Sequence, residues 1–286
     1  MAADVARKPL TDSRISAATA GNGVEIANNS NESADWTALA DLTLAAPVVL
    51  RGTVKKAKRL SGRAAMDVPA GELRMLVELA LANVVKAPDL LPAGAEFLWQ
   101  GRPGADGRPP LKAGQDLLAF LEGPLPGPKP EIAQFRLVAP QALRGWTAER
   151  DAAVRAVLAE ARDGPGVMVT GQMVTGVSDA FRSEGDVAGV SESQFFLLRA
   201  GGQPMTLLVT RAPDAAPLVR VATGDVIGAS AAAVRPRTLL WRALACGLPP
   251  ALPKRLAGDA ALAADYALAL ERLGPCGPRG IIPTTR

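Results

Sequence analysis

The 286-residue chain contains no histidine. That absence removes the commonest general base, the commonest zinc ligand and the side chain that usually titrates near neutral pH. Ser-His-Asp triads, Cys-His pairs and histidine-ligated metal sites are therefore excluded. Cysteine is nearly absent too. Cys246 and Cys276 are the two in the chain, too few for a zinc site or for a scaffold held by several disulfides. Aromatic residues make up 4% of the sequence, thin material for a surface that stacks nucleic-acid bases. No apolar run reaches the roughly 20 residues of a membrane-spanning helix. Residues 1–21 also lack the apolar core of a Sec signal. These features predict a soluble protein without a membrane span, periplasmic if an export signal lies upstream of Met1 and cytoplasmic otherwise.

What is abundant points to β structure. Apolar residues reach 48%, enough for a large core or two domains, while 28 glycines and 24 prolines are spread along the chain. Such spacing favours many short elements joined by turns. The fold class expected is mainly β, α+β overall. The net charge of +4 is too small to imply nucleic-acid binding unless it is concentrated. It is concentrated once, at Lys55, Lys56, Lys58, Arg59 and Arg63.

Residues 1–33 are polar and aperiodic, a composition that cannot bury enough apolar surface to order itself. A disordered arm is expected there, with Ser33 capping a short helix over 34–42. Residues 48–54 form a β-branched strand in which Gly52 marks a bulge or tight bend. Residues 73–85 fit a helix face and a strand equally well. A strand is preferred, because the segments at 96–99, 116–121 and 133–138 complete an antiparallel meander that needs a long central member. Residues 146–162 carry Val154, Val157, Leu158 and Ala161 at helical spacing.

A second β region follows. Its firmest feature is a hairpin of residues 194–198 and 205–209 about a Gly201-Gly202-Gln203 turn. Strands are also expected at 167–174, 217–221 and 224–227. The first of these repeats the pattern of 48–54 and allows a degenerate duplication. Two helices close the chain, over 239–246 and from an Asp259 cap to 273. The domain division is thus an arm at 1–33, a β-barrel at 34–145, and a linking helix, second β module and helical pair at 146–286.

Within residues 44–140 the chain resembles the five-stranded oligonucleotide/oligosaccharide-binding (OB) barrel. Within that class it resembles the netrin-like modules that include tissue inhibitors of metalloproteases. The likeness is carried by residues 48–54, by 73–85 with Lys86, and by 111–121. It implies a small OB-like barrel. The cysteines that normally staple netrin-like modules are missing, so no inhibitory activity follows from it.

The chemistry legible in the sequence is sparse. In an antiparallel helix hairpin Cys246 and Cys276 would lie at opposite ends, about 13 Å apart and too far to bond. An extended Pro-rich linker would bring them together, so a disulfide and two separate thiols both stay open. Residues 182–193 read as an acidic loop whose Glu184, Asp186 and Glu192 offer oxygen atoms to a ligand, without the alternating register of a calcium loop. Lys254 is the sole lysine after Lys129, which leaves little for a Ser-Lys nucleophile. No metal or cofactor is expected. The reading is a non-enzymatic protein that binds a protein or small ligand through the acidic loop or the basic run. The alternative is a single-stranded nucleic-acid-binding barrel, and the third reading a carboxylate or Ser-Lys hydrolase.

Overall fold

Among the described residues the β-branched and alternating segments become strands, which assemble into two sheets flanked by four α-helices. The computed structural model describes residues 32–125, 131–163, 173–199, 204–223 and 231–277. The predicted arm at 1–33 falls outside these except for its last two residues. Those belong to the first helix, α1 (Glu32–Ala45). Ser33 is therefore inside α1, not its cap.

The first sheet contains β1 (Val48–Arg59), β2 (Leu73–Lys86), β3 (Gly94–Gly101), β4 (Asp116–Leu121), β5 (Ile132–Phe135) and β6 (Leu143–Gly145), in the order β5-β3-β2-β1-β4-β6. The ambiguous 73–85 segment is the long central strand. Its even alternation wins over helical propensity because Leu73, Met75, Val77 and Leu79 share one buried face. All ladders are antiparallel except β3 with β5. The register of β1 on β2 slips at Gly52, where a Cβ would stand 2.7 Å from the carbonyl oxygen of Ala80. Contrary to the sequence expectation, β1 does not stop at residue 54 and carries Lys55, Lys56, Lys58 and Arg59 of the basic run, with Arg63 beyond its end.

One face of this sheet buries Val48, Leu50, Met75, Val77, Phe97 and Leu117, in a cluster whose described members all come from this sheet and its connecting loops. The sheet therefore coils around its own core. It does not close among the described residues: β4 and β5 are linked by the isolated bridges Leu121 to Leu137 and Leu125 to Gln134.

The second sheet is a sequential antiparallel meander of β7 (Val174–Glu184), β8 (Ser191–Arg199), β9 (Met205–Ala212), β10 (Ala215–Thr223) and β11 (Ala232–Ala233). The two expected strands of the hairpin are β8 and β9, paired antiparallel with Phe195 opposite Leu207; the Gly201-Gly202-Gln203 turn lies outside the described residues. Most of the expected strand at 167–174, and all of that at 224–227, lie outside the described residues.

Between the sheets lie α1 and α2 (Ala148–Asp163). Leu39 and Leu42 of α1, Ala46 just past it and Val154 of α2 pack on Val49, Leu118 and Phe120, on the other face of the first sheet. Trp36 and Ala40 of α1 and Val157 of α2 turn to the second core. There they join Phe195, Leu207 and Val209 of the second sheet, and Trp241 and Tyr266 of α3 (Leu239–Ala245) and α4 (Ala260–Leu273). Asp259 caps α4 through the amides of Ala261 and Leu262, as expected.

Gly247, just past α3, lies against β7. A Cβ there would fall on the carbonyl oxygen of Val174 and stand 2.6 Å from that of Ala243. Both obstacles are backbone, so neither can swing aside. Gly247→Ala is expected to destabilise by about 3 kcal/mol, read as a lowered midpoint in urea. A midpoint unchanged from wild type would show that this close approach does not exist.

Candidate functional site

The register of β2 on β3 and β5 composes a face that no single segment announces. Directly opposed residues form rows across the strands: Arg74 with Gln100, Lys58 with Leu76 and Leu98, and Lys56 with Glu78, Glu96 and Gln134. These are the polar positions of strands whose alternate residues fill the core. Arg74, Gln100, Glu96 and Gln134 of these rows line a cleft of about 1050 Å³, with Leu76 and Leu98 in its floor and Leu125, Leu137 and Pro140 among its walls. Leu98 is half exposed, at 50%.

Hydrogen bonds fix the polar side chains. The Arg74 guanidinium donates to both oxygens of Asp67, at 2.8 and 2.9 Å, and to Gln100 Oε1 at 2.8 Å. Gln100 Nε2 donates to Glu72 Oε2 at 2.9 Å, and Gln134 Nε2 to Glu96 Oε2 at 3.1 Å. The Arg74 guanidinium holds the Asp67 carboxyl below the usual carboxylate range, with its own backbone amide assisting. The site is a preorganised trough with an apolar floor and both signs of charge on its rim.

The residues singled out in the sequence are dispersed over the molecule. Lys55, Lys56, Lys58 and Arg59 are exposed on β1. Lys55 is tied to Glu78 at 2.8 Å, which also raises its pKa through that hydrogen bond and charge. Their nearest functional neighbours are the cleft residues, not the acidic segment, which belongs to the other sheet. That segment is not the long loop expected. β7 runs to Glu184 and β8 starts at Ser191, leaving residues 185–190 as the connection.

Because side chains alternate along a strand, Glu184, opposite Ser191, and Glu192, opposite Ser183, leave on different faces. Glu184 accepts from Arg182 Nε at 3.0 Å. Glu192 accepts from Gln194 Nε2 at 2.8 Å and Thr210 Oγ1 at 3.2 Å. Asp186 is exposed in the turn. Among the described residues no group of three or more Cys, Asp or Glu side chains gathers as a metal site would require.

Cys246 and Cys276 are bonded, with Cα atoms 4.8 Å apart. The linker returns the end of α4 to the end of α3, so that Trp241 Nε1 donates to the Leu273 carbonyl at 2.7 Å. Thr37 Oγ1 of α1 donates to the Cys276 carbonyl at 3.0 Å.

One buried carboxylate escaped sequence reading. Asp265 of α4 is 1% exposed and accepts from Ser193 Oγ and Arg211 Nε, each at 2.5 Å, with Arg182 Nη1 at 3.5 Å. It clamps α4 to β7, β8 and β9. Its signal was present in the buried positions 262, 265, 266, 269 and 273 of α4, a helical stripe in which it is the one acid. Next to it Tyr266 donates its hydroxyl to the Pro249 carbonyl at 2.7 Å, and burial pushes the phenol up.

No family model matches the chain, and no curated protein sequence matches it. What places the protein in a class is its own architecture: the described residues form a mainly β protein with two sheets and four α-helices, none of them long and apolar enough to cross a membrane.

Proposed function

We propose that the protein is a non-enzymatic binding protein, whose first sheet acts as an OB-like module and holds an extended peptide segment of a protein partner in the β2–β3–β5 cleft. The observation that carries this is the cleft itself: a fixed trough with an apolar floor and paired polar rim, the composition that seats alternate side chains of an extended chain. The order β1-β2-β3-β5, with β4 on the other side of β1 and a parallel β3–β5 pair, supports the OB-like reading.

Two observations favour binding over chemistry and over nucleic acid. Glu78 and Glu96 stand opposite each other, yet Glu78 is bonded to Lys55 and Glu96 to Gln134, so neither is poised as an acid or base. Phe97, Trp99, Phe120 and Phe135 are all buried, which leaves the basic run without an aromatic platform for bases. The Cys246–Cys276 bond favours a compartment where thiols are not kept reduced.

The test is selection of a random displayed-peptide library on the full chain, followed by fluorescence polarisation of the enriched peptides against wild type and Leu98→Arg. A loss of affinity of tenfold or more is expected in the variant, because the charge sits on the apolar floor. Peptides that bind both proteins equally, or none enriched at all, would reject the cleft as the site.

A further inference from the structure

At the other end of the same sheet face, three strands gather positive charge where it is costly to bury. Arg51 of β1 and Arg144 of β6 are both directly opposite Leu118 of β4, so they share its face and flank it. Arg144 is 5% exposed. Its Nη1 donates to the carbonyls of Gln141 and Leu143, while its Nε is buried without a partner. Arg51 lays its guanidinium over the Trp146 ring, 3.7 Å from the centroid. Arg51 Nε and Trp146 Nε1 are likewise buried and unpartnered.

A third guanidinium closes the group. Arg150, in the first turn of α2, donates to the Gly145 carbonyl at 2.9 Å and faces Asp35 of α1 at 3.6 Å. Burial pulls the Arg144 pKa down, Asp35 raises it and Arg150 lowers it further. The nearest other acid by register is Asp116, two residues before Leu118. It is exposed and its Oδ1 takes the Thr53 hydroxyl at 2.5 Å. Asp35 thus stands against Arg150 and acts on Arg144, while Asp151, next to Arg150 on α2, pairs through Oδ2 with Arg155 and keeps its Oδ1 buried without a partner.

The chemistry of the vacant bonds is one-sided. Arg51 Nε, Arg144 Nε and Trp146 Nε1 are all donors, and guanidinium and indole nitrogens have no acceptor capacity. A buried arginine without a counter-charge is strongly unfavourable, and an unsatisfied buried donor adds to that. A neutral ligand would satisfy the hydrogen bonds and leave the charge. An anion satisfies both, and guanidinium groups suit phosphate geometry in particular.

We propose that Arg51, Arg144 and Trp146, with Arg150 beside them, form a binding site for a tetrahedral oxyanion, either free phosphate or sulfate or the phosphate group of a larger ligand. This site is separate from the peptide cleft and does not depend on it. Arg51 over Trp146, both half-buried, forms its mouth, and Arg144 its floor. An oxyanion bound there ties β1 and β6 to the first turns of α1 and α2, so binding stabilises the joint between the two cores.

The experiment is calorimetric titration of the full chain with inorganic phosphate, sulfate, acetate and adenosine monophosphate at constant ionic strength, paired with thermal unfolding in each. Phosphate and sulfate should bind and raise the melting temperature above a matched chloride control, with acetate at least tenfold weaker. Arg51→Gln, at a half-exposed position that tolerates the change, should weaken phosphate at least tenfold while its melting temperature in chloride stays near wild type. Arg144→Met should abolish the phosphate response and, in chloride, should not melt below wild type, because it removes a buried charge opposed by one carboxylate that is already paired with Arg150.

Tighter binding of the nucleotide than of phosphate, lost in Arg51→Gln, would support a phosphate-bearing ligand. Equal binding would support the free oxyanion. A wild-type protein that responds to phosphate no more than to chloride, or an Arg51→Gln variant that binds phosphate as wild type does, would overturn the proposal and leave ordered water as the partner of these donors.

Discussion

Replacing Cys246 and Cys276 together by serine is expected to lower the unfolding free energy by about 3–4 kcal/mol, the loop-closure entropy of a link across some 30 residues. The bond stabilises chiefly by restricting the unfolded chain, and what it holds in the folded state is a junction of three helices. α3 ends at Cys246, α4 returns to it through Cys276, and α1 reaches the same point through Thr37. Reduction of wild type should reproduce the loss, and reductant should leave the double variant unchanged. The variant should also unfold with a steeper dependence on denaturant, since its unfolded chain exposes more surface. Urea titrations of both proteins, with and without reductant, test all three statements. Coincident wild-type curves in the two conditions would mean that the link carries no stability.

The second large effect concerns Asp41 and Arg242. Arg242 Nε donates to Asp41 Oδ1 at 2.6 Å, and the two side chains are 8% and 6% exposed. The pair joins α1 to α3 across the whole of both sheets in sequence. Removing one member leaves a charge in a place from which water is largely excluded, so Arg242→Met is expected to destabilise by about 3–5 kcal/mol. Removing both should be far milder, because desolvation of the ions no longer opposes folding. Asp41→Leu combined with Arg242→Met should therefore recover most of the loss. The check is a double-mutant cycle by chemical denaturation. Additive single effects, with no recovery in the double variant, would show that the two groups do not act as a pair.

Both predictions turn on contacts that span the sequence, and that marks the boundary between what could be read from it and what could not. Residues 73–85 fit a helix and a strand alike, but their neighbours require a central member, and β2 is that strand. The hairpin of β8 and β9, the cap at Asp259 and the bulge at Gly52 were also legible, since each rests on local chemistry: turn residues, a side chain within reach of the next amides, a missing Cβ. The acidic loop was misread for the converse reason. Residues 182–184 are polar and largely exposed, while Ser191 and Ser193 are buried as polar, hydrogen-bonded side chains, so a hydrophobic pattern could not reveal that both segments continue the strands. β6 was missed because three residues carry no period.

The β2–β3–β5 cleft was half visible. Arg74, Leu76 and Glu78, and Glu96, Leu98 and Gln100, alternate with core residues in strands that were expected. Yet the register that sets Glu78 beside Glu96 and Arg74 beside Gln100 depends on pairing across the turn between the strands. By itself the sequence determined the class of fold, since alternation, turn residues and apolar content are local properties. It also removed histidine chemistry outright. Only the tertiary structure decided which polar side chains meet: Asp265 with Arg211, Asp41 with Arg242, Cys246 with Cys276, and Arg51 with Arg144 across Leu118. The physical reason is common to all four. A charge or a thiol has no periodicity of its own, so its partner is set by how sheets and helices pack, and that is fixed by the apolar residues around it.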